Sequence, residues 1–259
     1  SSHLLWWGTF VLDLGATSPL LYAFREREMI LNLLNELSGA RLTFNYMRVG
    51  GVKWDAPEGW VEKVKEFIPH MREQIKGYHD LVTGNEIFLG RVKGIGKYTK
   101  EDALNYSLSG PNLRCTGVKW DLRKNEPYSI YERFDFDVPV REEGDVLSRY
   151  HVRFAEIEES LKILEQCVEQ FPEEGPVIAK VPKIIKAPKG EAFVRIESPR
   201  GEIGCYIASD GKKEPYRLKF RRPSFYNLQI LPKLLEGESI SNLIAILGAV
   251  DIILGEVDG

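Results

Sequence analysis

The distribution of apolar residues along the chain is the feature that most constrains the fold. Apolar residues recur three or four positions apart, as on one face of an α-helix, in four stretches: residues 4–14, 18–37, 57–83 and 141–171. Apolar and polar residues alternate instead, as in β-strands, in three short late segments: residues 192–196, 203–207 and 216–220. This order predicts an α+β fold, mainly long helices in a bundle with a small late antiparallel sheet.

Glycine and proline predict where these elements begin and end. Ser18-Pro19 is typical of a helix start, and Gly39 predicts the end of that helix. Pro69 predicts a bend in the long helix over residues 57–83. Residues 172–189 are rich in proline and lysine and predict an exposed connection, and the apolar chain from Leu228 onward predicts helix to the end. We interpret residues 1–259 as a single domain.

Charge and cysteine content exclude several classes of protein. The chain has 35 Lys and Arg against 38 Asp and Glu, so it lacks the basic surplus expected of a nucleic-acid-binding protein. Its three cysteines are far apart, which is typical neither of a disulfide framework nor of a zinc site. No stretch approaches the ~18 apolar residues of a membrane-spanning helix. The chain starts without Met and directly in an apolar pattern, so we interpret it as a piece of a longer protein.

The common catalytic motifs are missing from the sequence. It contains no phosphate-binding loop, no nucleophile elbow and no His-Glu-x-x-His pair. The glycines of residues 90–96 lack a strand-to-helix context and favour a surface turn. His70 and His79 lie nine positions apart on a predicted helix, which places them on different faces and disfavours a shared metal ion.

Three places put charged residues in apolar or tightly turning sequence. Asp13 lies late in the apolar first helix, where its carboxylate is either solvated at the helix end or buried and paired with a cation. The same alternatives apply to Asp251 in the apolar tail. Glu197 and Arg200 flank a tight turn between two predicted strands, as either a surface hairpin or a buried ion pair at a site.

Five separated segments, in order, resemble one family. They are Leu-Asp-Leu-Gly-Ala at residues 12–16, Phe-Arg-Glu-Arg-Glu at 24–28, Asn-Tyr-Met-Arg-Val-Gly-Gly-Val at 45–52, Leu-Ser-Gly-Pro at 108–111 and Gly-Glu-Val-Asp at 255–258. Together they resemble the large quinone-site subunit of respiratory complex I, the 49-kDa-type subunit of bacterial NADH–quinone oxidoreductase. The resemblance spans the whole chain, and five ordered segments are far more specific than any one of them.

The resemblance implies that this chain is the C-terminal portion of such a subunit. The family's N-terminal part carries a Gly-Pro-Gln-His-Pro loop whose His, with a later Tyr, is thought to hold the quinone headgroup, and neither stretch is present here. Asp13 would then be the catalytic partner of that His and would tune its proton affinity. By the same resemblance Thr9, Leu21 and Ile253 would contribute to the quinone pocket, with an aliphatic wall at Leu21.

The family is also similar to the large subunit of nickel–iron hydrogenases, and the differences are informative. A hydrogenase holds its metals with four thiolates, the last pair in an Asp-Pro-Cys-x-x-Cys tail. Here that tail reads Asp251, Ile252, Ile253 and later Glu256, so both late thiolates are absent. The resemblance therefore implies a hydrogenase-large-subunit-like fold without a metal, in which Glu197, Arg200 and Asp251 lie near the former metal cavity.

The resemblance also implies cofactors, partners and location. The chain would bind quinone as substrate and no cofactor of its own, while NAD and the iron–sulfur clusters would be held by partner subunits. Those partners would be the iron–sulfur subunit with the terminal cluster, other peripheral-arm subunits and a membrane subunit that admits the quinone. We expect a peripheral position on the cytoplasmic side of the cell membrane.

A second hypothesis, of a different class, is a non-catalytic scaffold or assembly subunit of a related membrane-bound complex. A substitution at Asp13 separates the two. Under either hypothesis we expect the isolated chain to be inactive, because the headgroup ligands are absent. We also expect it to self-associate through uncovered apolar surface.

The residue at position 43 bears on how the potential of the terminal iron–sulfur cluster depends on pH. Many relatives carry a His near this position, close to the terminal iron–sulfur cluster, where it couples electron transfer to protonation, and Arg48 would lie in the same vicinity. Thr43 cannot titrate, so we expect the midpoint potential of that cluster in the intact complex to be independent of pH. A redox titration at several pH values measures this, and a midpoint that shifts with pH would rule the hypothesis out.

Overall fold

The computed structural model describes residues 1–172, 174–182, 184 and 186–258. Its α-helices are α1 Ser2–Asp13, α2 Ser18–Ser38, α3 Trp60–Tyr78, α4 Glu86–Val92, α5 Lys100–Asn105, α6 Pro111–Arg114, α7 Leu122–Asn125, α8 Val146–Glu169, α9 Pro223–Leu228, α10 Leu231–Leu235, α11 Ile240–Val250 and α12 Leu254–Val257. Its strands are β1 Met47–Arg48, β2 Gly51–Val52, β3 Gly190–Ser198, β4 Gly201–Ser209 and β5 Arg217–Arg221. The predicted α+β class is confirmed. In the described part of the chain, no helix combines the length and apolarity needed to cross a bilayer.

Helices α1 and α2 follow the sequence prediction closely. Gly15 has a φ of +106°, and the chain turns there between the two helices. Pro19 lies in the first turn of α2, and Gly39 ends that helix in the left-handed conformation. The N-cap position of α2 is Thr17 rather than Ser18, and its side chain makes no capping hydrogen bond.

The two other long helices are shorter than the periodicity predicts. Helix α3 begins at Trp60, after the left-handed Gly59, and it contains Pro69 before passing into a π-helical turn, His79–Thr83. Helix α8 begins at Val146 because Asp145 caps it, its carboxylate accepting a hydrogen bond from the Ser148 N–H at 2.7 Å. Gly144 has a φ of +67°, outside the helical region, so the helix cannot extend back to residue 141.

An aromatic cluster joins the long helices. Trp7 of α1 is fully buried, with its ring centroid 4.3 Å from that of Tyr78 on α3 and 5.9 Å from that of Phe154 on α8. The Tyr150 ring lies 4.8 Å from Phe154 and extends the cluster along α8. Such rings bury a large apolar area each. Helix α1 therefore lies at the centre of the bundle, between α2, α8 and α11.

The late sheet has the order β3–β4–β5 and is antiparallel throughout. Strands β3 and β4 run longer than predicted, since they pair from Gly190 with Ser209 to Ser198 with Gly201. Strand β5 has the predicted length and lies one residue later. A second, two-residue pairing of β1 with β2 was not predicted. Strands of two residues carry too little alternation to be recognised in a sequence.

The two remaining predictions concern the connection and the tail. Residues 173, 183 and 185 of the predicted connection lie outside the described residues, and within its described part Ile178 forms an isolated bridge with Gly51. The prediction of continuous helix after Leu228 is wrong. Gly237 and Asp251 both adopt positive φ, at +77° and +58°, and each lies between the separate helices α10, α11 and α12.

A fully buried carboxylate lies on the inner side of α2. Glu26 accepts hydrogen bonds from the Tyr78 hydroxyl and from Arg25 Nε. Nε2 of His70 is 3.6 Å from the same carboxylate. Burial and the adjacent Glu26 carboxylate raise the pKa of Tyr78, so its hydroxyl remains a donor. This donor compensates part of the cost of removing the charge of Glu26 from water.

We expect Tyr78→Phe to destabilise the protein by about 1–3 kcal/mol, because a buried carboxylate then loses its hydroxyl donor. Urea unfolding of the 259-residue chain measures the change. Tyr216→Phe is the matched control, since Tyr216 is exposed and the same atom is removed. Equal midpoints for the two variants would show that the hydroxyl does not stabilise Glu26.

Candidate functional site

A groove of about 470 Å³ runs between α1 and α11. Its lining comes from one face of each helix and from the residues that follow α11: Trp6, Thr9, Phe10, Asp13, Leu243, Ile244, Leu247, Gly248, Asp251 and Ile252. The walls are therefore mainly aliphatic and aromatic, and carboxylates are present in the lining. We call this space the α1–α11 groove.

Close contact between the two helices fixes the shape of the groove. The indole Nε1 of Trp6 donates a hydrogen bond of 2.7 Å to the Gly248 carbonyl. A Cβ atom on Gly248 would lie only 2.9 Å from the Phe10 ring, so glycine permits this approach. Thr9 donates its hydroxyl proton to the Leu5 carbonyl at 2.9 Å within its own helix. The hydroxyl proton of Thr9 is thus used within α1, and its oxygen can act only as an acceptor.

Asp13 is the last residue of α1 and lines the open side of the groove. Its side chain is exposed, so the structure realises the first of its two alternatives, a solvated carboxylate at the helix end. Asp251 also lines the groove, at the C-cap of α11, and is buried. Both carboxylates therefore border one space, one open to solvent and one enclosed.

Two arginines hold the enclosed carboxylate. Arg200 Nη2 donates to Asp251 Oδ1 at 3.0 Å, and Arg153 Nε lies 3.9 Å from Asp251 Oδ2. The Arg153 guanidinium also lies over the Trp6 ring, 4.3 Å from its centroid, where a cation–π contact is favourable. Burial lowers the pKa of Arg153, and the Asp251 carboxylate opposes that shift. The second alternative, a buried and paired carboxylate, is thus realised at Asp251.

A second cluster of buried charges lies beside the start of α1. Arg114 donates to Glu156 at 2.7 Å and to Glu197 at 2.7 Å, and His3 lies 2.8 Å from the other oxygen of Glu156. A cavity of about 270 Å³ adjoins this cluster. Glu197 is therefore part of a buried ion pair, the second of the two alternatives given for it. Its cation is Arg114 and not Arg200.

The pKa values in this second cluster move in different directions. Burial would raise the pKa of Glu156, but Arg114 and His3 outweigh burial and hold it at about 2. Burial raises the pKa of Glu197, and Arg114 only partly compensates for it. Burial lowers the pKa of His3 in spite of its contact with Glu156. Arg114 thus outweighs the effect of burial on the pKa of Glu156, with the help of His3, but not on the pKa of Glu197.

The structure brings together some of the predicted site residues and separates others. Thr9, Asp13 and Asp251 line the α1–α11 groove, and Arg200 reaches it through Asp251. Leu21 is largely exposed on α2, and Ile253 follows the groove residue Ile252 but is not among the described lining residues. Thr43 is exposed with a φ of +53°, and Arg48 lies exposed in β1.

Sequence reasoning missed the cations of both clusters, Arg114 and Arg153, and the carboxylate Glu156. Arg149, Arg153 and Glu156 lie four and three positions apart on α8, which places them on one side of that helix. All three are buried, and charged residues are unusual in a protein interior unless they are paired. That spacing was the signal available in the sequence.

The fold and groove define a helical α+β protein with an apolar groove bordered by carboxylates. In the residues that the structure describes, no group of three or more His, Cys, Asp or Glu side chains is arranged to hold a metal ion. The family model of the respiratory-chain NADH dehydrogenase 49-kDa subunit matches residues 13–186 and 180–259. The chain belongs to this family, which confirms the resemblance.

Close relatives carry the name of the same complex. The D subunits of the NADH-quinone oxidoreductases of Geobacillus kaustophilus and Geobacillus thermodenitrificans are each 78% identical to this chain over 259 residues. Their counterpart from Bacillus cereus is 80% identical over the same length. Each alignment covers the whole of this chain and 71% of the relative, so these relatives are longer than the chain described here.

The low pKa of Glu156 predicts how stability depends on pH. Because this pKa is about 2 in the folded protein against an ordinary 4.5, ionised Glu156 stabilises the fold at neutral pH, and the contribution is lost as pH falls from about 4.5 towards 2. We expect Glu156→Gln to lower the free energy of unfolding by about 3–5 kcal/mol at neutral pH, since Arg114 loses a buried partner.

Urea unfolding at about pH 6 and about pH 2.5 checks this expectation, and the deficit of Glu156→Gln should shrink at the lower pH. Glu66→Gln is the control, because Glu66 is an exposed glutamate of α3. A deficit that stays constant across the two pH values would contradict the assignment of the low pKa to Glu156.

Proposed function

We propose that the α1–α11 groove forms one wall of the quinone site of a proton-translocating NADH–quinone oxidoreductase. Membership of the 49-kDa subunit family makes the chain part of that oxidoreductase complex. The observation that carries the finer proposal is the groove itself, in which apolar walls enclose only a few polar groups. Sites for apolar ligands with a polar head have this character and volumes of about 300–1,000 Å³.

Asp13 is proposed to act on the quinone headgroup indirectly, through the His that binds it. Its carboxylate is exposed at the open side of the groove, so it is accessible to a side chain from the rest of the subunit. A carboxylate near an imidazole stabilises the imidazolium form. Asp13 would in this way raise the proton affinity of the headgroup-binding His, which protonates reduced quinone. Thr9, one turn earlier, offers a hydroxyl oxygen to the same space.

The remaining predicted residues take supporting places in this proposal. Leu21 on α2 and Ile253 after α11 are exposed apolar side chains, suited to contact the quinone tail or a neighbouring subunit. Asp251 and Arg200 neutralise each other behind the groove and fix the end of α11. Glu197 fixes the sheet through Arg114. Thr43 and Arg48 would face the subunit that holds the terminal cluster.

The complex supplies the cofactors in this proposal. Electrons from NADH would reach the quinone through iron–sulfur clusters of partner subunits, and this chain would bind only quinone. The adjoining subunits would be the one with the terminal cluster, its peripheral-arm neighbours and the membrane subunit through which the quinone tail enters. The chain would lie on the cytoplasmic side of the membrane, as the C-terminal, single-domain portion of its subunit.

Asp13→Asn in the assembled complex tests the proposal. We expect the rate of NADH-driven quinone reduction to fall at least tenfold, because the headgroup His loses the carboxylate that favours its protonation. Asp13→Glu should restore part of the rate. Asp80→Asn, an exposed carboxylate on the π-helical turn, is the matched control and should leave the rate unchanged.

Assembly must be measured beside the rate, by the amount of intact complex and its NADH oxidation with a soluble acceptor. A normal rate in fully assembled Asp13→Asn complex would overturn the catalytic role. The chain would then be a non-catalytic scaffold or assembly subunit, as the second hypothesis states.

A further inference from the structure

One face of the late sheet is apolar over all three strands. The strand register places Val194, Cys205 and Phe220 in one row across the sheet and Ala192, Ile207 and Leu218 in the next. Ile196 pairs with Ile203 in a third row. Side chains of paired residues share a face. These eight residues form what we call the apolar sheet face.

The opposite face is mainly polar, and near the β3–β4 turn it packs on the protein. Arg195 binds Glu126, and Glu197 binds Arg114 and accepts a hydrogen bond from the Leu122 N–H. The apolar sheet face is open instead. Val194 is 62% exposed, Phe220 50% and Leu218 48%. A sheet normally buries its apolar face against another layer, and no layer formed by the residues that the structure describes covers the hydrophobic side of this sheet.

We propose that the apolar sheet face is covered by the part of the same subunit that precedes residue 1. The relatives are longer than this chain by about 100 residues, which is enough for a covering layer. The proposal rests on the proposed function in one respect, namely that the chain is the C-terminal portion of its subunit.

The position of Ser1 supports this occupant. Ser1 and Ser2 line the same cavity as Ser198, the last residue of β3, and Pro199, which belongs to the turn between β3 and β4. A preceding segment therefore reaches the chain at one end of the sheet. The same cavity is lined by Arg114 and Glu197 of the opposite face, so the segment has to pass around the β3–β4 turn to reach the apolar sheet face. It then covers a length of about 17 Å, which five residues of extended chain span.

The size of the face argues against a second copy of this chain as the occupant. Three strands about 4.8 Å apart and five residues long cover about 250 Å² of sheet plane. A stable interface between separate proteins buries about 800 Å² of accessible surface on each partner. A covalently attached segment needs far less, because tethering replaces a bimolecular association by an intramolecular one.

Thiol labelling tests the proposal with a pair of adjacent positions. Val194→Cys and Phe193→Cys lie on opposite faces of β3, and the native side chains are 62% and 54% exposed. Both variants are made with Cys167→Ser and Cys205→Ser, while Cys115 is buried. In the 259-residue chain we expect both to react with a maleimide at similar rates.

In the full-length subunit without its partners, we expect labelling at position 194 to slow at least tenfold and labelling at position 193 to change less than twofold. Unchanged labelling at position 194 would overturn the proposal. Protection at position 194 that increases with the concentration of the 259-residue chain would also overturn the proposal, because the occupant would then be a second copy of the chain.

A photo-crosslinker at position 194 of the assembled complex gives a second measurement that does not require the subunit to fold alone. Crosslinked peptides from the same subunit, outside the 259 residues, are the expected product. Peptides from another subunit, or no crosslink, would overturn the proposal. Neither readout depends on quinone reduction, so a failure here leaves the Asp13 assignment standing, and the converse also holds.

Discussion

Charges buried along α8 need polar partners, and this requirement determines where distant segments of the chain lie. Arg149 binds the carbonyls of Gly96 and Gly144. Arg153 is fully buried and approaches Asp251 at the end of α11. Glu156, one turn further along α8, binds Arg114, which in turn binds Glu197 of the sheet. Removing one member would leave an uncompensated charge in a low-dielectric interior, which costs several kcal/mol. The helix bundle, the sheet and the tail are thereby held in one arrangement.

This arrangement produces the groove. The end of α11 is held by Arg200 and Arg153 through Asp251, and its last turn is held against α1 by the Trp6 hydrogen bond to Gly248. Both contacts fix the separation of the two helices, and hence the width of the space between them. The internal negative charge of Asp251 is balanced locally, so the groove presents Asp13 as its one solvated carboxylate among the described lining residues. Such a division leaves a single solvent-accessible carboxylate on a wall whose other polar groups are held in place.

The sequence allowed the elements to be predicted better than their ends and partners. Helix α2 and the three late strands follow from periodicity and from Pro19 and Gly39, which act locally. The start of α8 and the break at Asp251 depend on tertiary contacts and on backbone conformation that periodicity does not encode. The family resemblance identified Asp13 and Thr9, which line the groove. It did not identify Arg114 or Glu156, because the pairing of buried charges is set by residues far apart in the sequence.

The sheet is held at one end by direct contact between backbones. A Cβ on Gly201 would lie 2.8 Å from the Ser109 carbonyl carbon, and a Cβ on Gly110 would lie 2.6 Å from the Gly201 Cα. Any side chain at either glycine would force the two segments apart, so this junction does not tolerate substitution of either glycine. At the far ends of the strands, residues 210–220 are exposed throughout. The sheet is consequently anchored at its β3–β4 turn, and its opposite end offers open surface to whatever packs against it.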